Sequence, residues 1–190
     1  MARRKKRKST FLILLLVLLL GTAGGAWWIS PTKDLDLGYR PLDVKDKVLR
    51  MVETREPRMF LNADEVAQLS KKNLITYLNT HHVGVDVTGA EFRMQGKQMI
   101  ADINGKWGVL PFGAQLEFQM KSSGSHIVLG HTSTSVRGWE VPQGLFHLQP
   151  ITISLKDYLP DMLTVKNIEF LAEGLQLSFT IDWMNIPSLF

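Results

Sequence analysis

The chain's apolar positions follow three successive patterns. Residues 11–29 contain no charge, and the first ten of them, Phe11 through Leu20, are all strongly apolar. At about 1.5 Å per residue that run reaches roughly 28 Å as a helix, close to one hydrocarbon core. Farther on, Val66, Leu69, Leu74 and Leu78 recur near helical spacing. Asn62 stands just before them, with Glu65 three residues later; this capping-box arrangement predicts a helix running to Asn79. After His82 the period falls to two. Ala114, Leu116, Phe118 and Met120 alternate with polar residues, as do Leu175, Leu177, Phe179 and Ile181. Strict alternation predicts antiparallel strands with one apolar and one wet face.

Turn signals punctuate the strands at Gly89, Gly96, Asn104-Gly105, Ser122-Ser123-Gly124 and Glu173-Gly174. Asn104-Gly105 is the strongest hairpin signal among them. The stretch 42–52 reads as a short helix or extended segment, and 154–163 as a short helix stopping before Pro160. About seven or eight strands are expected. The predicted fold class is α+β: an N-terminal transmembrane helix, then a curved antiparallel β-meander domain packed with one to three helices. Residues 1–10 form a cytoplasmic basic tail, 11–29 the transmembrane helix, 30–41 a linker and 42–190 an extracytoplasmic α+β domain.

Charge sets the expected direction of insertion. Arg3, Arg4, Lys5, Lys6, Arg7 and Lys8 precede the apolar run, and Lys33 is the first charge after it. A Lys/Arg block stays on the cytoplasmic side, which leaves the rest of the chain outside. Trp27 and Trp28 fall where an aromatic belt meets the outer interface. A cleaved signal peptide is the competing reading, because Thr22, Ala23, Gly24, Gly25 and Ala26 are small residues of the cleavage-site type. Against it, the apolar run continues through them into Trp27, Trp28 and Ile29. The net charge of +4 is a product of the tail. Taking its six basic residues from the 22 Lys and Arg leaves 16 against 18 Asp and Glu, a net −2. That balance argues against a nucleic-acid partner. With no cysteine, the chain has neither disulfide nor thiol chemistry.

No arrangement of residues names a reaction. His81 and His82 adjoin at a helix end, His126 and His131 are five apart in a strand, and His147 is alone. None has metal-ligand spacing, and surface or turn positions are expected for them. Ser122-Ser123-Gly124-Ser125-His126 is not a nucleophile elbow. Asp102, Glu117, Asp157, Asp161, Glu169 and Asp182 fall singly in turns or on wet strand faces. The glycines at 105, 108 and 113 lack the strand–loop–helix context and Lys-Ser/Thr pair of a phosphate cradle. The chain therefore reads as non-enzymatic, without cofactor or metal.

What remains is large apolar side chains next to a membrane. Leu110, Phe112, Leu116, Phe118, Met120, Leu145 and Phe146 are the candidate lining of an apolar groove for acyl chains. Met94, Met99 and Met120, on expected inward faces, suit a mobile ligand because methionine packs adaptably. The same residues equally suit a closed core.

Leu61-Asn62-Ala63-Asp64-Glu65-Val66 opens the predicted helix after a basic tail and a leucine-rich span. Together with 107–113, 140–145 and 159–163, this layout resembles the YpmS-like proteins of Gram-positive bacteria across nearly the whole chain. The resemblance implies a cell-envelope setting and no activity. A helix with a curved meander is also similar to tubular lipid-binding folds, which is an analogy of fold alone. The expected function is non-catalytic binding of a lipid or lipid-linked envelope molecule at the outer face of the cytoplasmic membrane. The alternative is an envelope protein-interaction or scaffold module with a closed core and a protein partner.

Overall fold

The computed structural model describes residues 17–18, 20–22, 24–42, 44–54, 56–81, 84–160 and 162–181. The basic tail, residues 11–16 of the apolar run, His82, Asp161 and Asp182 lie outside the described residues. Residues 24–29 are helical, and no helix of the described residues is long and apolar enough to cross a membrane. Two helices follow, α1 (Val44–Thr54) and α2 (Ala63–Thr80), with β1 (Arg58–Asn62) between them. Then come β2 (Asp86–Gln95), β3 (Gln98–Trp107), β4 (Leu110–Ser123), β5 (His126–Val136), β6 (Trp139–Glu140) and β7 (Ile151–Ser154). A 3-10 turn at Lys156–Tyr158 precedes β8 (Leu163–Leu171) and β9 (Gly174–Ile181).

The class is α+β with antiparallel, meander-like sheets and few helices. The strands form two sheets where one was expected. One has the order β1-β9-β8; the other runs β2-β3-β4-β5-β6, with β7 also paired to β5. The β8–β9 pair stands apart from the large sheet, and β1 gives it a third strand. Met59-Phe60-Leu61 reads in sequence as a lead-in to the helix, but β9 recruits it, pairing Met59 with Leu177 and Leu61 with Leu175. Met59 and Leu61 are buried while Phe60 is exposed, so even this short run obeys period two.

The predicted helix forms with its predicted start. The Asn62 side chain accepts from the Glu65 backbone N–H at 2.9 Å, and the Glu65 carboxylate accepts from the Asn62 N–H at 2.9 Å. Reciprocal bonds satisfy two amides that a helix end otherwise leaves unpaired. The helix at 154–163 shortens to the 3-10 turn.

Two glycine turn signals fall inside strands instead. Asn104 and Gly105 lie in β3, and the β3–β4 turn comes at Gly108, whose φ is 61°. Gly105 stays in the strand because the Phe112 ring covers it at 2.6 Å from where a Cβ would stand. Gly89 lies in β2 beside a register shift, and its Cβ would meet the Leu35 carbonyl oxygen at 2.1 Å. Both positions need glycine for close approach rather than for a turn.

That approach makes residues 30–41 a strap across the six-stranded sheet. The Ala90 N–H donates to the Asp36 carbonyl at 3.0 Å, and the Asn104 amide donates to the Lys33 carbonyl at 2.7 Å. Lys33 reaches Asp102 at 2.6 Å and Arg93 reaches the same oxygen at 2.9 Å. Asp102, expected alone on a wet face, is instead buried between two cations. Hydrogen bonding to Asp102 raises the Lys33 pKa above its ordinary value, against an opposing effect of burial.

Candidate functional site

A cavity opens between the two sheets. From the small sheet come Met59 and Leu61 on β1 and Leu175 and Leu177 on β9, brought side by side by the register just described. The large sheet contributes Met99, Met120, Ile127, Leu129 and Ile153. Alternation puts these on one face, and pairing of Ile127 with Ile153 carries the apolar surface onto β7. Helix α2 closes one side with Val66, Leu69, Ser70 and Asn73, spaced i, i+3, i+4 and i+7. Leu42, just after the strap, and Leu155, Tyr158 and Leu159 around the 3-10 turn complete the wall.

Three polar side chains face this space, and all are on or near α2. Ser70 donates to the Val66 carbonyl at 2.8 Å and is thereby satisfied within its own helix. The Tyr158 hydroxyl donates to the Asn73 side-chain oxygen. Burial raises the Tyr158 pKa, the Asp157 charge adds to it, and the Asn73 bond opposes both. The Lys72 ammonium stands 5.5 Å from the centre of the Tyr158 ring. The cavity volume is about 70 Å³. Ligand sites for whole small molecules run to roughly 300–1,000 Å³. The space therefore fits a short apolar segment.

A second, polar cleft of about 220 Å³ adjoins it, sharing Leu42, Leu69 and Tyr158. Tyr39, Arg40, Gln68, Lys72 and Asp157 line it as well. Arg40 is held there by Asp64 at 2.7 Å, while Gln68 accepts from the Arg40 backbone N–H at 2.8 Å. An apolar chamber thus abuts a cleft bearing Arg40, Lys72 and Asp157, with Leu42, Leu69 and Tyr158 as the common wall.

The structure distributes the seven residues expected to line a groove. Met120, 1% exposed, lines the cavity. Phe118 is buried two residues away but packs its ring on His131 at 5.7 Å. Leu116 is half-buried against the core, and Phe112 covers Gly105. Leu110 lies exposed at the β3–β4 tip. Leu145, 81% exposed, and Phe146 are outside, where Phe146 meets His131 edge-on at 5.8 Å. Trp27 and Trp28 are exposed and gather around Arg137 and Trp139.

Most of the cavity wall was missed for one reason: it is assembled from short runs in both sheets. On α2 the apolar pattern includes Val66 and Leu69 but not Ser70 and Asn73, which are polar. One histidine also departs from expectation. His131 is buried, accepting at Nδ1 from the Leu148 N–H at 3.4 Å and placing Nε2 2.8 Å from the Thr134 hydroxyl. Among the described residues, no three His, Asp or Glu gather where they could hold a metal ion.

Comparison with protein-family models, curated proteins and solved structures finds no match to this chain.

Proposed function

We propose that the chain is a single-pass membrane protein, N-terminus inside, whose outer domain binds part of a lipid or lipid-linked envelope molecule without catalysis. The carrying observation is the apolar cavity between the sheets, with its polar groups confined to the Ser70, Asn73 and Tyr158 side. An acyl segment would occupy the chamber, and a polar head would lie in the cleft of Arg40, Lys72 and Asp157. The uncharged run at 11–29 and the six basic residues before it support the topology. The resemblance to YpmS-like proteins agrees with an envelope setting.

The cavity's small volume favours the second reading, a scaffold or interaction module with a closed core. A photoactivatable fatty-acyl lipid, incubated with the full-length protein in vesicles, separates them. Peptides containing Met99, Met120 or Leu177 should carry the label, and the cavity-filling variant M120W should lose it. Absence of label from all three peptides in the wild type overturns lipid binding.

A further inference from the structure

The two ends of the six-stranded sheet differ sharply in chemistry. In an antiparallel meander the β2–β3 and β4–β5 turns share one end, and the β3–β4 and β5–β6 turns share the other. The first end is polar: Gln95-Gly96-Lys97-Gln98 and Lys121-Ser122-Ser123-Gly124-Ser125-His126. The second presents Trp107-Gly108-Val109-Leu110 and Arg137-Gly138-Trp139. At its tips Trp107 is 70% and Val109 93% exposed. Their neighbour Lys106 is in register with Asp86 on the adjacent strand.

The N-terminal segment comes to this same end. Pro31 crosses Gly113, three residues from Leu110, with its Cα 2.9 Å from where a glycine Cβ would stand. Arg137 then clasps the residues before it: its guanidinium stacks over the Trp27 ring at 4.8 Å and donates to the Trp27 carbonyl at 3.1 Å. Trp28 meets Trp139 edge-on at 6.3 Å. All four tryptophans of the described residues therefore collect at one end of one sheet. Tryptophan favours the water–hydrocarbon boundary because its ring is apolar and its N–H polar.

We propose that this end of the sheet docks on the bilayer surface, the β3–β4 tip entering the lipid interface through Trp107, Val109 and Leu110. The occupant is lipid because the chain leading into Trp27 and Trp28 is the uncharged run 11–29, which supplies a bilayer at this end. The inference rests on the anchored topology and is independent of any ligand in the cavity. Docked this way, Met120 stands ten residues up β4 from Leu110, about 33 Å along the strand.

The chain has no cysteine, so single-cysteine variants can be spin-labelled without further change. Full-length V109C, K97C and L15C would be placed in phosphatidylglycerol vesicles, and label access to oxygen and to a water-soluble nickel chelate compared. Oxygen should dominate at V109C and L15C, and nickel at K97C. A V109C label that reads like K97C, or one shielded from both reagents by protein, overturns the docking. The L15C control separates that failure from loss of the anchor, which would expose L15C to nickel as well.

Discussion

Tyr158 and Asn73 stand 85 residues apart in the chain and share a hydrogen bond on the wall between the apolar cavity and the polar cleft. The hydroxyl donates to the amide oxygen, tying the 3-10 turn to α2. Tyr158→Phe should lower stability by about 0.5–1.5 kcal/mol, the net value of one such bond. Urea unfolding of Y158F, N73A and the double variant would measure the coupling. A double variant whose loss equals the sum of the two single losses would mean that the pair does not interact.

The cavity makes its own demand on Met120, one of the largest fully buried side chains. Met120→Ala removes a side chain from a wall that already leaves space, and should cost about 2–5 kcal/mol. The enlarged chamber should also take up more of the photoactivatable acyl probe. Denaturation and labelling of M120A check the two effects separately.

The strap depends on Gly89. Gly89→Ala would push a methyl into the Leu35 carbonyl, 2.1 Å away, and the strap backbone must lift. Lys33 would then lose its clamp on Asp102, and trypsin should cut after Lys33 faster than in the wild type. Asp102→Asn should give the same cleavage by weakening the ion pairs directly. Unchanged cleavage in G89A would show that the strap is not held at this crossing.

His131 makes the 141–150 loop sensitive to pH. Burial holds its pKa below the ordinary 6.5, with repulsion from His147 adding to the effect and a Ser133 backbone hydrogen bond opposing it. The fold therefore favours the neutral ring, so its contribution is complete above 6.5 and is lost as pH falls through the lowered value. Protonated Nδ1 cannot accept from the Leu148 N–H. Exchange of the Leu148 amide should rise relative to that of a β3 core amide between about pH 7 and pH 5. His131→Gln should remove that pH dependence.

Legibility followed the range of the interaction. The α2 N-terminus was readable to the residue because Asn62 and Glu65 satisfy each other within one turn. The inward alternation of β4 and β9 was readable because the pleat repeats every two residues. Asn104-Gly105 misled because the same residues that favour a tight turn also permit close packing, here beneath Phe112 and beside the strap. Leu110, Leu145 and Phe146 joined the expected groove because their apolar character gives no information on which end of a strand or loop they occupy.

The sequence by itself determined the local elements and the regions of the chain: an uncharged run behind a basic tail, a capped helix, and alternating strands with no cysteine. Tertiary structure alone decided that β1 joins β9, that a cavity opens between two sheets, and that four tryptophans share one end. Periodicity and capping act over a few residues and leave a pattern in the chain. Strand partners and cavity walls join residues such as Met59 and Leu177, more than a hundred positions apart, and their contact exists only once the sheets have formed.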